Sequence, residues 1–546
     1  MYVVTRDELS FPPNSLLEMT LSSENVARLE GYNIVEKMIS WSRMGWTHVP
    51  LFAFVILALM SVKALGVSLD FLFREIYDDQ LGLELEDVMK YWEPWFRQYG
   101  PLLIPIPLVL TGICADRFGR FFTLIGLMVL SSAILPILWI VRDPTIFTIA
   151  CILTAYWLVP STLQVAYLYA YEFVPLKYRL IVQLSLTLAE TMGLLLVGIA
   201  DNTIKKGGSK EERFACRQTT YYTIALVGFG LCLIIGFLLI RSRDTVLNYM
   251  FGAKSDQAKA WNVLVDVGEV NTEEPVPVSR EEFMVNANRV AQPSLLKVVR
   301  NAAYGPLTVV AGIAFANALW TESLQVAYWY LSVDYLGKGY RWNFLPGLVL
   351  QHASAIGGIL LTIGLYIWIK DIRFVPACGL LMFGLGAVVC SSVQVYAPDR
   401  FYLNMEDITG MPTVIAGVGM MQFGLPVANA TFRVLIMDLF FTRNRGRGVF
   451  VFKALETFLT GIVAISFYHL LTERIYFLSE ASLITAIGAA VVAAFYTTQW
   501  FDRSLICRDP EQDACWLVNP ETVAQGAPIV GSRDKLLKPN NSGSSV

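Results

Sequence analysis

Twelve runs of about twenty apolar residues recur along the chain, the length needed to cross a hydrocarbon core roughly 30 Å thick as a helix. Backbone groups in lipid must be satisfied within the segment, so such runs are either helices or not in the membrane at all. The runs fall near 48–73, 100–115, 121–141, 145–171, 180–200 and 220–240, then near 305–333, 343–369, 374–396, 411–437, 448–472 and 475–500. The polar stretch 241–304 parts them six from six. Composition agrees: of 546 residues, 55% are hydrophobic and 16% charged, and the mean hydropathy is +0.52. A soluble domain carries about a quarter charged residues. The sequence therefore predicts an all-α membrane protein of twelve transmembrane helices.

Several chemistries lack raw material. The three histidines, His48, His352 and His469, are too far apart for a paired-His zinc site, and no phosphate-cradling GxxxxGK[ST] loop occurs. A net charge of −3 without a basic block disfavours nucleic acid. No nucleophile, base and metal constellation appears at workable spacing, so the chain reads as neither an enzyme nor a cofactor or metal carrier. The opening MYVVTRDELSFPP lacks the basic stretch and apolar run of a cleaved signal peptide.

Cytoplasmic loops carry the excess of Lys and Arg. With both termini inside, the cytosolic segments hold 26 of these residues and the outer loops 13. The one discordant loop is 201–219, basic yet predicted outside. The expected organisation is a cytosolic arm 1–47, a six-helix bundle 48–240, a cytosolic central loop 241–304, a second bundle 305–500 and a cytosolic tail 501–546. The arm, loop and tail read as mostly flexible, with short helical signals near 255–265 and 279–290.

One loop signal repeats. Glu172 precedes Arg179 by seven residues after the fourth run, and Asp438 precedes Arg445 by seven after the tenth. Internal doubling of six-helix units marks secondary transporters. GICADRFGR at 112–120 resembles the GxxxDRxGR loop of the major facilitator superfamily. YEFVPLKYR, beginning at Tyr171, and AYWYLSVDYLGKGYRWNF, beginning at Ala327, resemble its organic cation/anion branch, solute carrier family 22. This resemblance implies the major facilitator fold and a monomeric plasma-membrane transporter. It would move a small organic solute, an organic ion, by alternating access, with H+ or Na+ as a coupling ion. It further implies a gating role for Asp116, Arg117, Arg120, Glu172, Arg179, Asp438 and Arg445; topology anchoring is the plainer alternative. A non-transporting sensor or scaffold on the same fold is the rival reading. Thr457 stands where that branch carries the charge that goes with anion or cation preference, so substrate charge does not transfer.

Charged groups inside spans face a partner or a cavity. At 100° per residue, Lys63 and Asp70 share a face, and Gln183, Thr187 and Glu190 fall within about 60°. Asn317, Thr321, Gln325 and Tyr328 fall within about 80°, with Glu322 off that stripe, and Gln422, Asn429 and Arg433 within about 40°. Interhelical hydrogen bonding explains any one such residue. Together they read as a polar translocation path, with Asn317, Gln325, Tyr328, Glu190, Arg433, Lys453 and Glu456 as substrate-binding candidates. Lys453 and Glu456, spaced i, i+3, equally suit a local ion pair. Glu190 and Arg433 have no opposite charge on their own helices, which for a buried carboxylate suggests a neutral acid or a proton-coupling site.

Overall fold

The computed structural model describes residue 35 and residues 38–79, 91–92, 94–141, 143–175, 178–203, 210–239, 244–251, 256–288, 344–369, 375–396, 411–439 and 442–473. The seventh and twelfth predicted spans, and with them Asn317, Gln325 and Tyr328, lie outside these residues, as do the side chains of Asp70 and Asp438.

The described residues are all-helical. In the first half, α1 is Val49–Asp79, α2 Pro105–Phe118, α3 Arg120–Ile140, α4 Pro144–Phe173, α5 Arg179–Thr203 and α6 Lys210–Leu239. Three short helices follow, α7 Val246–Phe251, α8 Gln257–Asn271 and α9 Arg280–Asn288. The second half holds α10 Phe344–Ile369, α11 Val375–Tyr396, α12 Met411–Leu439 and α13 Thr442–Glu473. Helix α6 starts ten residues before the apolar run at 220, because the polar KEERFACR continues the helix beyond the lipid-matched stretch.

Local chemistry sets several of these ends. Asp143 caps α4 by accepting from the Ile146 amide at 3.0 Å, and Pro144 occupies the first helical position, where a missing N–H is harmless. A π turn at Leu153–Leu158 precedes Pro160, whose ring removes a ladder hydrogen bond. Gly119, at φ 97, turns the chain between α2 and α3 in a conformation that an L side chain rarely adopts. A Cβ there would also collide with the Asp244 carboxylate.

Small residues let the helices approach closely, as membrane packing requires. Gly379 of α11 faces the Gly424 carbonyl of α12, and Gly193 of α5 faces the Met60 backbone of α1. The two halves meet along α2 and α13 and along α5 and α10. Outward faces remain apolar and exposed, for example Ile106, Val129, Ile140, Phe237, Leu361 and Leu385, as lipid contact demands.

The stretch read as a mostly flexible central loop is helical over 246–251, 257–271 and 280–288, and it has a core of its own. Leu247, Met250, Val263, Leu264 and Phe283 pack there with Met38, Ile39 and Trp41 from the arm before α1. Asn271 fixes that arm through its side-chain amide, which donates to the Ser42 and Arg43 carbonyls, both at 3.1 Å.

Candidate functional site

Two polar layers lie inside the apolar bundle. The first is at the end where α2, α4 and α12 finish and α3, α5 and α13 begin, the cytosolic end by the Lys and Arg count. The Arg120 guanidinium is buried and touches three elements: it pairs with Asp116 at 3.3 Å, with Glu172 at 3.1 Å, and donates to Asn248 Oδ1 at 2.6 Å. Glu172, wholly buried, also pairs with Arg445 of α13 at 3.1 Å and accepts from the Thr245 hydroxyl at 2.6 Å. One carboxylate of the first half thus holds an arginine from each half. Asp116 crosses the same boundary. Its two oxygens accept from the Gly446 and Arg447 amides, each at 2.9 Å, and Arg447 Nε stands 3.7 Å away.

Arg179 stacks 4.5 Å from the Tyr171 ring centroid and donates to the Val174 carbonyl at 3.2 Å. Arg445 lies 5.1 Å from the same centroid. Arg117 is exposed and lies over Phe118 at 5.9 Å, while the side chains that approach Asp116 are those of Arg120 and Arg447.

Asp244, from the stretch after α6, completes the layer. It accepts from the backbone amides of Arg120 at 3.1 Å, Phe121 at 3.4 Å and Thr245 at 2.8 Å, so it caps α3 from outside that helix. Burial pushes its carboxyl up to about 6, against the opposing pull of Arg120. Asp244, Thr245, Asn248 and Arg447 were not among the residues singled out from sequence. The dense DTxxN spacing right after a span's last charge, and a third arginine two beyond Arg445, are the signals that carried them.

The second layer is deeper. On a rise of 1.5 Å per residue, Tyr167 and Arg433 lie roughly 9 Å from the ends of α4 and α12 at the first layer, and Glu190 and Lys63 roughly 16–21 Å from the corresponding ends of α5 and α1. Lys63 Nζ pairs with Glu190 at 2.9 Å, the two side chains being 30% and 14% exposed. The Tyr167 hydroxyl donates to the other Glu190 oxygen at 2.6 Å, and Arg433 stacks 3.4 Å from the Tyr167 centroid. Glu190 is therefore not the lone neutral acid that its own helix suggested. Its counter-ion comes from α1, a pairing across helices that spacing along one helix does not reveal. His352 of α10 is buried within electrostatic reach of Lys63, with neither ring nitrogen hydrogen-bonded. Lys453 and Glu456 pair with each other at 2.7 Å on α13, and Gln422 and Asn429 are half-buried on α12.

With this geometry in place, the likeness to solved structures is informative. The chain has the major facilitator superfamily fold. It superposes on the proton:xylose symporter XylE bound to 6-bromo-6-deoxy-D-glucose with a TM-score of 0.60 at 14% identity, over 91% of this chain and 99% of that one. A partially occluded inward-open form of the xylose transporter XylE from E. coli matches with a TM-score of 0.53 at 13% identity, over 86% and 99%. No family model and no curated protein matches the sequence.

Proposed function

We propose that this chain is a secondary transporter that carries a small organic solute across a membrane by alternating access. The observation that carries the reading is the Glu172 layer, where a buried carboxylate of one half binds an arginine of the other beneath a second charged layer drawn from both halves. A contact between halves biases an alternating equilibrium only if it exists in one state and breaks in the other. Asp116, Arg120, Glu172 and Arg445, with Arg179 and Arg447 beside them, have the placement such a latch needs. Asp438 and Arg117 belong to the proposal from the sequence motif. Lys63, Glu190 and Arg433 then form the solute site, and Lys453 and Glu456 of α13, with Asn317, Gln325 and Tyr328 of the seventh predicted span, belong to the proposal from the sequence.

The solute class proposed is an organic ion, in keeping with the solute carrier 22-like segments rather than with sugar. XylE is a proton:xylose symporter; by that likeness H+ is the first coupling ion to test, and Na+ the second. The decisive experiment is uptake of labelled organic anions, organic cations and sugars into proteoliposomes, with and without H+ and Na+ gradients. Saturable uptake of an organic ion that Arg433→Ala impairs more than Thr321→Ala, with insertion intact, is expected. Silence over the panel in correctly oriented vesicles overturns the reading.

A further inference from the structure

The deeper layer is unbalanced in charge. Lys63 and Glu190 neutralise each other at 2.9 Å, and the Tyr167 hydroxyl takes the remaining Glu190 oxygen at 2.6 Å. Arg433 is within electrostatic reach of Glu190 but makes no hydrogen bond to it: its guanidinium lies over the Tyr167 ring, 3.4 Å from the centroid, and its Nη1 is buried without a hydrogen-bond partner among the described residues. A ring face is a weaker partner for a guanidinium than a carboxylate in bidentate contact. Among the described residues the layer thus holds two fixed cations and one carboxylate. Further along the same axis, His352 adds two ring nitrogens without partners and no negative charge. A planar five-donor fork with a free buried N–H matches a planar oxyanion.

Resting on the transporter reading above, we infer that the solute is an organic anion whose carboxylate is bound by Arg433, drawing that guanidinium off the Tyr167 ring. The consequence reaches the latch. Arg433 belongs to α12 and Tyr167 to α4, so the stack is itself a contact between halves, set one helical turn above Tyr171 and its two arginines. Tyr167 and Tyr171 are four residues apart and lie on one face of α4. An anion that takes Arg433 removes the upper of two stacked cross-half contacts and leaves the Glu172 ion pair as the lower one. Solute charge and cytosolic opening are coupled through one side chain.

The test uses the full chain in nanodiscs and reads thermal stabilisation by benzoate, phenylacetate and octanoate, each beside its carboxamide and its trimethylammonium analogue. Carboxylates are expected to raise the unfolding temperature while amides and cations do not. Arg433→Gln should weaken the carboxylate response roughly tenfold or more, and Arg433→Lys less. Tyr167→Leu, which removes the competing ring, should tighten it, a change that a merely structural Arg433 would not produce. Equal stabilisation by amides or cations, no carboxylate response, or an unaltered response in all three variants overturns the inference. Should Arg433→Gln fail to fold, the Lys and Tyr167→Leu variants decide. Uptake confined to neutral or cationic solutes sinks the anion assignment and spares the transporter. Carboxylate binding lost in Arg433→Gln but without any uptake does the reverse.

Discussion

Asp244 shows how one side chain outside the spans conditions the Glu172 layer. It caps α3 at the residue where Arg120 begins its course toward Asp116 and Glu172, and its carboxylate fills the space that a Cβ on Gly119, at φ 97, would take. Its carboxyl is raised to about 6 by burial, against about 3.9 in an unfolded chain. The folded protein therefore binds this proton more tightly. The associated stability is fully present below about pH 4 and is lost as pH rises through 6. The unfolding temperature of the wild type relative to Asp244→Asn is expected to rise between about pH 7.5 and pH 5. A difference that does not move with pH would show that the carboxyl stays charged throughout. Sequence exposed this layer unevenly. Glu172 and Arg445 were legible because their two loops repeat a seven-residue spacing, and Asp116 and Arg120 because GICADRFGR resembles a known loop. Asp244 and Arg447 were not, because a cap from a distant segment and a backbone approach leave no periodic trace.

The same contrast holds for elements. Apolar run length located α3, α4, α5, α10, α11 and α12 to within a few residues, since the lipid fixes how much chain must be apolar. Short helical signals near 255–265 and 279–290 marked α8 and α9, but nothing in the sequence marked α7 or the core that these helices form on Trp41 and its neighbours. Run length was silent too on how close α2 and α13 lie, which depends on what is missing from glycine. A Cβ at Gly112 would stand 2.7 Å from the Phe450 Cβ and 2.9 Å from the Gly446 carbonyl oxygen, whereas one at Gly126 of α3 meets nothing within 4 Å. Gly112→Leu is expected to destabilise the protein by about 1–3 kcal/mol through overpacking. Gly126→Leu should leave the unfolding temperature in nanodiscs unchanged. Equal effects of the two would mean that α2 and α13 do not need this approach.

At the scale of the molecule, the expected six-plus-six order rests on loop motifs and span length, and ten of its twelve spans fall on helices among the described residues. The pairing of Lys63 with Glu190, and of Arg433 with Tyr167, emerges only when four helices converge. The charged layer around Glu172 makes a global prediction. Glu172→Gln removes the charge that Arg445 crosses the boundary to meet, leaving two buried guanidinium groups undercompensated, a loss that commonly reaches about 3–5 kcal/mol. Hydrogen exchange in 105–118 and 442–450 is expected to accelerate together, while exchange in α11, remote from the boundary, stays as it was. Unchanged exchange at 105–118 and 442–450 would show that Glu172 does not hold the halves shut.

Glu172 never stands bare in this arrangement. If Arg445 departs, the acid keeps Arg120 and the Thr245 hydroxyl, and Asp116 keeps Arg120. Were the first half to part from the second, its anions would stay solvated by protein, whereas Arg445 would lose Glu172 and keep the Met437 carbonyl, 2.9 Å from its Nε. Under the proposed alternating access such unlocking would be lopsided, and dissolved anions reaching this end, which can take the place of Glu172 and Asp116 on Arg445 and Arg447, should favour the parted state more than dissolved cations do.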